Sequence, residues 1–395
     1  MKVLVINAGS SSLKYQLIEM SDESVVAKGN CERIGVDGKI GHKTFDGRSV
    51  EKNCDFPTHK EAFMEVVNIL TTGEGKVIDD VKEIAAIGHR VLHGAELYKV
   101  SSLVDDKLID DVLSLSELGP LHNPPQAIAM RACREVFGKD VPMVAVFDTS
   151  FHQTMPEKAY IFGIPYEYYE KYHIRRYGFH GTSHRYVSGR YTQLTGKAPR
   201  LITCHLGNGS SISAIVDGKV QDTSMGFTPL DGFIMGTRCG GIDPSVVTFI
   251  ANKEGLTPDQ MSDLMNKKSG FLGISGVSSD CRDLNAAADA GNKRARLALD
   301  MVVYQIKKFI GGYAAAMGGV DAIAFTGGIG ENDKDLRMAV LEGMEYMGVK
   351  VDAARNDTRK EARISSDDSK VDVWVIPTNE ELLIARDTVE IAKLK

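Results

Sequence analysis

The order of hydrophobic and polar positions at the start of the chain predicts a β-hairpin. The apolar run at residues 3–6 ends in a turn of small polar residues at 7–12, and an alternating stretch resumes at 13–18. A buried strand, a tight turn and an alternating strand are typical of a hairpin. Because the turn is rich in glycine and serine, with Lys14 just beyond it, it can present N–H groups to a phosphate without steric obstruction. A single turn of this kind also fits an ordinary polar hairpin.

The same pattern recurs near the middle of the chain. Residues 201–205 form a second apolar run, 206–211 a second Gly/Ser turn, and 212–216 a second returning strand. Aligning Ser12 with Ser211 offsets the two copies by 199 residues in a chain of 395. Solenoid repeats have far shorter periods. We therefore predict a duplicated fold with two related halves, each offering a phosphate-binding hairpin to a cleft between them.

A third glycine-rich turn has a different form. The apolar run 322–325 leads into TGGIGEN at 326–332, and helical spacing continues through Leu336, Val340, Met344 and Met347. A strand, a glycine turn and a helix N-terminus favour a nucleotide-sized concavity. The sequence contains no G-x-x-x-x-G-K-[ST], and no G-x-G-x-x-G between a strand and a helix. Walker-type NTPases and Rossmann dehydrogenases are therefore poor fits.

The remaining pattern alternates helices with short strands. It predicts strands at 84–87, 143–147 and 371–376, and helices at 60–72, 294–317 and 380–394. In helix 294–317 the predicted inward side chains are Leu297, Met301, Ile306, Phe309, Ile310 and Tyr313. Hairpins combined with crossover helices indicate an α/β fold with mixed sheets, and the domain boundary is expected near residue 150.

Composition narrows the class of protein. With 43% hydrophobic residues, the chain can build two cores. A net charge of −6 without a basic stripe makes nucleic acid an unexpected partner. The six cysteines form no C-x-x-C pair, which favours reduced thiols over disulfides or a zinc site. The N-terminal apolar run is too short for a signal sequence, and no apolar run approaches membrane-spanning length. We expect a soluble cytoplasmic protein without a membrane partner.

Polar clusters in glycine-rich segments are the candidate chemistry, because α/β folds keep functional groups at strand ends. Their central members are Arg90, His122, Asp148, His180 and Arg238. Four of them have an ordinary structural explanation: Arg90 as an ion-pair partner, His122 in a turn, Asp148 as a helix cap, and His180 as a half-buried histidine. Together they suit an anionic small molecule and a transferring phosphoryl group, which needs positioning and positive charge. A hydrolase triad or a metalloenzyme fits less well, because H-E-x-x-H and G-x-S-x-G are absent.

The clusters together closely resemble acetate kinases over essentially the whole chain. The matching segments are NAGSSSLK at 7–14, GHRVLHG at 88–94, FDTSFH at 147–152, RRYGFHGTSH at 175–184, HLGNGSS at 205–211, MGTRCGGIDP at 235–244, SSDCRD at 278–283, TGGIGEN at 326–332 and PTNEEL at 377–382. The resemblance implies two duplicated ribonuclease-H-like domains with mixed sheets and an interdomain nucleotide cleft, as in the superfamily of sugar kinases, Hsp70 and actin. It places 1–150 and 382–395 in an N-terminal domain, and 151–381 in a nucleotide-binding and dimerisation domain of a homodimer.

The resemblance also implies an activity: reversible, Mg²⁺-dependent phosphoryl transfer from ATP to acetate, giving acetyl phosphate and ADP by direct in-line attack, with Mn²⁺ as a possible substitute. The implied catalytic residues are Arg90, His122, Asp148, His180 and Arg238. The implied metal contacts are Asn7 and Glu380. Arg90 would grip the acetate carboxylate, and the methyl pocket would comprise Leu92, Leu121, Phe179 and Pro229. The implied nucleotide contacts are Ser10, Ser12, Lys14, His205, Gly207, Asn208, Gly209, Asp280, Arg282, Gly327, Gly328, Gly330 and Glu331.

Two positions depart from the family pattern. Gly241 stands where many relatives carry a polar side chain, and Leu92 where a valine is familiar. The one extra methylene of Leu92 should favour acetate over longer acids by about 10–200-fold.

The role of Asp148 needs its own argument. Acetate, with a pKa of about 4 to 5, is already ionised at neutral pH. We therefore expect Asp148 to orient an arginine, or to help bind substrate and metal, rather than to remove a proton.

Three other functions stay open at this point. A propionate or butyrate kinase would share the scaffold. An Hsp70- or actin-like ATP switch would share the phosphate hairpins but have no use for arginines and a histidine around an apolar pocket. A pyrophosphate-dependent relative is disfavoured by the complete TGGIGEN segment.

Overall fold

The computed structural model describes residues 1–394. The chain divides into two compact units, Met1–Phe151 with Asn379–Lys395, and His152–Thr378. None of the helices in the described residues is both long enough and apolar enough to cross a bilayer. All six cysteines carry free thiols.

The first unit begins with five strands, and helices come before its sixth and eighth strands. Its strands are β1 (Lys2–Ala8), β2 (Ser12–Glu19), β3 (Ser24–Glu32), β4 (Lys39–Thr44), β5 (Ser49–Asn53), β6 (Ile84–Val91), β7 (Ser102–Leu103) and β8 (Met143–Phe147). Its helices before residue 151 are α1 (His59–Thr71), α2 (Asp106–Ser114) and α3 (Asn123–Phe137).

The second unit is richer in helices. Its helices are α4 (Glu157–Tyr160), α5 (Glu167–Tyr172), α6 (Gly181–Thr195), α7 (Pro244–Glu254), α8 (Pro258–Lys267), α9 (Gly270–Ser275), α10 (Cys281–Asp289), α11 (Lys293–Ala316), α12 (Gly327–Asn332), α13 (Lys334–Leu341) and α14 (Ala353–Asn356). Its strands are β9 (Leu201–His205), β10 (Ser211–Val216), β11 (Lys219–Thr223), β12 (Ala322–Thr326), β13 (Ala362–Arg363) and β14 (Asp372–Val375). The final helix, α15 (Glu380–Ile391), belongs to the first unit.

The eight-stranded and six-stranded sheets share the order of their central strands. The first is β5-β4-β3-β2-β1-β6-β8-β7 and the second is β11-β10-β9-β12-β14-β13. In each sheet the first hairpin is antiparallel (β1 with β2, β9 with β10). The opening strand of the hairpin pairs in parallel with β6 or β12, and that strand pairs in parallel with β8 or β14. The second strands of the two hairpins begin at Ser12 and Ser211, the residues aligned in the sequence. The predicted α/β class with two mixed sheets is confirmed.

Helix α15 packs directly on the first sheet. Ile384 and Ala385 form a buried cluster with Val3, Val5 and other strand residues. A Cβ at Gly88 of β6 would lie 2.5 Å from Thr388 Oγ1 and 2.6 Å from Ile384 Cγ2. Only glycine allows the helix to approach this closely, and the approach brings the start of α15 to the end of β6.

Three sequence predictions about elements are corrected. Strand β6 runs on to Val91, so Arg90 lies within the strand rather than after it. Leu297, predicted to point inward, is 51% exposed. The buried stripe of α11 passes through Leu299, and a step of two residues turns a helix by about 200°, so Leu297 lies on the opposite side. The helix predicted through Met347 ends at Leu341, since Gly343 adopts a φ of 78° that turns the chain out of it.

Candidate active site

In the first unit, Arg90 and Asp148 form a bidentate pair. Arg90 Nε donates to Asp148 Oδ1 at 3.0 Å and Nη2 donates to Oδ2 at 2.7 Å. The pair forms because β6 and β8 are parallel neighbours, so residues near their carboxyl ends meet. Asp148 is fully buried, whereas 24% of the Arg90 side chain stays exposed. Two parallel bonds fix the guanidinium plane with one edge left for a ligand.

Arg90 also lines a cavity of about 410 Å³ together with Asn7, Lys14 and Glu380. Burial works against a charged Arg90, but the carboxylates of Asp148 and Glu380 outweigh it and raise the Arg90 pKa. Glu380 is the first residue of α15, and its Oε2 lies 3.8 Å from Arg90 Nη2. Burial raises the pKa of Glu380 to about 7; Arg90 opposes this shift and Asp148 reinforces it.

The donor set in this cavity fits a mostly hydrated Mg²⁺. Glu380 Oε2 is buried and has no hydrogen-bond partner among the described residues, so a cation would satisfy it. The Asn7 amide lines the same cavity. No cluster of three or more His, Cys, Asp or Glu side chains suited to a metal occurs within residues 1–394. One carboxylate, one amide oxygen and several waters are an ordinary arrangement for magnesium bound to a nucleotide.

A hydrogen bond from a histidine stabilises the turn of the first hairpin. Gly9 N–H donates to Ser12 O at 2.8 Å, and His59 Nε2–H donates to Gly9 O at 2.8 Å. Burial lowers the pKa of His59, against the effect of its bond to Gly9. Ser10 is exposed and Ser12 is half-buried.

In the second unit, His180 and Arg238 converge on Gly209. A methyl group on Gly209 would lie 3.5 Å from both His180 Nε2 and Arg238 Nη1. Arg238 Nη1 also donates to Pro229 O at 3.2 Å. Burial lowers the pKa of Arg238. Because Gly209 has no side chain, the space between the two nitrogens is open to an anionic group.

His180 is held by a buried network that the sequence argument did not identify. Its Nδ1 lies 2.9 Å from Ser211 Oγ, which also lies 2.7 Å from His184 Nε2. The His180 ring stacks on His205 at 4.3 Å. Burial, reinforced by the neighbouring histidines, lowers the pKa of His184, which favours its neutral form. The only signal in the sequence is that polar residues inside buried glycine-rich motifs need partners.

A larger cavity of about 1000 Å³ lies in the same unit. The predicted nucleotide residues that line it are Gly207, Asn208, Asp280, Arg282 and Gly328. Five others in this unit, His205, Gly209, Gly327, Gly330 and Glu331, are not among its lining residues. The wall also includes several charged side chains: Asp333, Lys334, Asp335, Asp357 and Arg359. The cavity has the size of a nucleotide and carries charges of both signs.

Two interactions shape the walls of this cavity. Asp280 caps α10, and its hydrogen bonds to Arg282 lower the Asp280 pKa to about 2. Arg337, which no sequence prediction named, is completely buried in α13 and donates to Gly330 O at 2.8 Å and Asn356 O at 2.7 Å. An arginine on the inward face of an apolar helix is the signal that could have revealed it.

The predicted methyl-pocket residues differ in burial. In the first unit, Leu92 is buried and its N–H donates to Gln126 Oε1 at 2.9 Å, whereas Leu121 is 60% exposed. In the second unit, Phe179 is buried and Pro229 half-buried.

The other two positions raised by the sequence lie at element ends. His122 is half-buried at the N-terminus of α3. Gly241 N–H donates to Gly232 O at 2.9 Å and so closes the base of the loop that carries Arg238. A backbone hydrogen bond thus supports this loop, without a side chain at position 241.

Comparison with known proteins identifies the family of this chain. The model described as "Acetokinase family" matches residues 2–386. An acetate kinase from Methanosarcina thermophila is 55% identical over 398 positions, covering 100% of this chain and 97% of that protein. The crystal structure of Porphyromonas gingivalis acetate kinase aligns with a TM-score of 0.95 at 45% identity, covering 99% of both chains. A propionate kinase from Francisella tularensis aligns at 0.92 and 38% identity, again over 99% of both.

These matches span nearly the whole chain and include every polar segment described above. The chain therefore belongs to the acetokinase family.

Proposed function

We propose that the protein transfers the γ-phosphoryl group of ATP to acetate by direct in-line attack, giving acetyl phosphate and ADP, and that it also runs in reverse. The observation that carries this proposal is the convergence of His180 Nε2 and Arg238 Nη1 on Gly209. Gly207 and Asn208 of the same hairpin line a nucleotide-sized cavity. Two nitrogen donors beside a phosphate hairpin are what a phosphoryl group in transfer requires.

Each unit supplies different groups to the reaction. Arg90, oriented by Asp148, binds the acetate carboxylate, which is already anionic and needs no base. Arg238 and His180 stabilise charge on the equatorial oxygens of the phosphoryl group. The proposed methyl pocket comprises Leu92, Leu121, Phe179 and Pro229, with His122 assisting. Ser10, Ser12 and Lys14 contact phosphates.

Mg²⁺, with Mn²⁺ as a substitute, would be held by Asn7 and Glu380. It would neutralise phosphate charge, as divalent ions do in phosphoryl transfer. The orphaned oxygen of Glu380 supports this assignment.

We also propose that the protein is a homodimer of two-domain subunits in the cytoplasm. Support for a dimer comes from α7, none of whose residues is buried although it carries Val246 and Phe249, the latter 62% exposed. An exposed apolar helix face is typical of an interface. Six free thiols favour a reducing compartment.

The activity is tested by trapping the acyl phosphate with hydroxylamine in the presence of ATP, Mg²⁺ and a short carboxylate. Acetate should give the product. Arg238→Leu should reduce the rate by about 10²–10³-fold, as for loss of a donor to transition-state charge. Arg296→Leu, which removes an exposed arginine of α11, is the matched control and should leave the rate unchanged.

The same assay tests the other candidates. A propionate kinase on this scaffold is favoured by the structural similarity to the Francisella protein. Because Leu92 is buried, we expect kcat/KM for acetate to exceed that for longer acids by about 10–200-fold, and equal values for acetate and butyrate would contradict this. ATP turnover that ignores acetate would instead favour an ATP-driven switch.

A further inference from the structure

One carboxylate oxygen of Glu331 is directed at the protein backbone, and Glu331 is not among the residues that line the nucleotide cavity. Its Oε1 accepts hydrogen bonds from Gly327 N–H at 2.8 Å, Thr378 N–H at 3.1 Å and Thr326 Oγ1 at 3.3 Å. Gly327 begins the glycine turn, whereas Thr378 lies near position 380 in the sequence. One oxygen therefore joins two segments that are about fifty residues apart.

The turn that Glu331 holds is packed tightly on the second phosphate hairpin. Ile329 N–H and Gly330 N–H donate to Leu206 O at 2.8 and 3.1 Å, and Leu206 N–H donates to Thr326 O at 2.9 Å. A Cβ on Gly327 would lie 2.7 Å from Leu206 O, and its φ is 79°. Because there is no free space here, a shift of the turn must also shift Leu206, which directly precedes the cavity-lining Gly207.

Thr378 is held at two points. Its N–H donates to Glu331, and its Oγ1 accepts from Ser183 Oγ at 2.9 Å. The same Ser183 hydroxyl lies 2.8 Å from His205 Nδ1, and His205 ends strand β9. Thr378 is the last residue of the second unit, two residues before Glu380. The network thus joins the glycine turn, the hairpin and the end of this unit.

We propose that Glu331 is a positioning residue for the nucleotide site, acting as a hydrogen-bond acceptor and not as a ligand of ATP or metal. It sets the glycine turn against Leu206 and so places Gly207 and Gly328 at the cavity wall. The expected changes in KM rest on the proposed function, but nucleotide binding can be measured without turnover.

The test compares two substitutions of similar size. Glu331→Met removes the acceptor and leaves three donors unpaired, so the Kd for ADP and the KM for ATP should rise by about 10-fold or more. The KM for acetate should stay within about 2-fold, which a general loss of structure would not produce. Glu331→Gln keeps Oε1 as an acceptor and should remain within about 3-fold of wild type in all three constants. Glu342→Met, at an exposed position, is the control.

The proposal is overturned if Glu331→Gln is as damaging as Glu331→Met, since the charge would then be required. It is also overturned if Glu331→Met has no effect, or if that variant raises the KM values for ATP and acetate together. Should Glu331→Met fail to fold, Glu331→Asp shortens the side chain by one methylene and must still raise the Kd for ADP. A wild-type protein that binds ADP but does not phosphorylate acetate would contradict the proposed function while leaving this measurement valid.

Discussion

At the scale of single residues, Asp148 shows how the fold gives a buried carboxylate a partner that its residue type does not predict. Both of its carboxylate oxygens accept hydrogen bonds from Arg90, and the side chain is fully buried. A carboxylate used in this way orients the guanidinium with which it pairs. The contact supports one part of the expectation, that Asp148 orients an arginine; a part in binding substrate and metal stays a prediction.

We predict that Asp148→Asn lowers kcat/KM for acetate by about 10²-fold, because the amide replaces one acceptor by a donor and misplaces Arg90. The residual activity should follow the same pH profile as wild type. Steady-state kinetics across neutral and alkaline pH measure both quantities. Activity that rises steeply with pH would show that a base had been lost and would contradict the orienting role.

A matched control for this prediction is Asp110→Asn. Asp110 pairs with Arg131 at 2.5 Å, but both side chains are largely exposed. Surface ion pairs contribute about 0–1 kcal/mol, so neither activity nor thermal stability should change measurably.

Glu331 shows the limit of transferring residues by motif. Its place in TGGIGEN predicted a side chain lining the nucleotide site, whereas its carboxylate accepts from Gly327, Thr326 and Thr378. Thr378 is distant in sequence, and no local pattern indicates that its N–H needs a partner there. Only packing brings the two together.

At the scale of elements, the hairpins follow directly from the hydrophobic pattern, whereas the length of β6 does not. Beyond Ile87 the strand continues through Gly88, His89 and Arg90, residues that carry no apolar signal. It continues because β1 and β8 on either side supply ladder partners, such as Ile6 for His89 and Val146 for Arg90. Tertiary pairing overrides local propensity at such positions.

The turn of the second hairpin yields a prediction that belongs to this scale. Gly209→Ala should lower kcat by about 10–10²-fold, because the methyl would occupy the space between His180 Nε2 and Arg238 Nη1 where charge must be stabilised. The methyl would make contacts of 3.5 Å, which are ordinary van der Waals distances, so thermal stability should not fall. Kinetics and a thermal melt on the same preparation measure the two effects.

Gly189→Ala is the control for this substitution. A Cβ at Gly189 would meet nothing within 4 Å, and the residue lies inside α6. Alanine there should leave kcat unchanged and stabilise the protein by about 0.5–1 kcal/mol. A Gly209→Ala enzyme with wild-type kcat would contradict the proposed place of the phosphoryl group.

At the scale of the whole molecule, the duplication organises the fold, and the exposed apolar face of α7 is the feature on which we base the proposed dimer. The apolar residues of this face are Ile242, just before the helix, Val246 and Phe249. A helix whose residues all remain partly exposed gains little stability from packing within its own chain.

We predict that Phe249→Glu shifts the protein from dimer to monomer, raising the dimer dissociation constant by about 10²-fold or more, because a charge would replace an aromatic side chain in the interface. Mass photometry or analytical ultracentrifugation across a dilution series gives this constant. Phe45→Glu alters another exposed phenylalanine, 80% exposed in the first unit, and should leave the dimer intact. A monomeric wild type, or a Phe249 variant that dimerises normally, would argue against α7 as the interface.

The strand–turn–strand order, the repeat at half the chain and the glycine-rich motifs can be predicted from sequence, because hydrophobic periodicity and turn chemistry are local properties. The family follows from the same motifs. The pairing of Arg90 with Asp148, the convergence of His180 and Arg238 on Gly209, and the inward turn of Glu331 depend on contacts between residues far apart in the chain. Such contacts form only when packing decides which polar groups are buried together, and a buried polar group must then find whatever partner the fold has brought near.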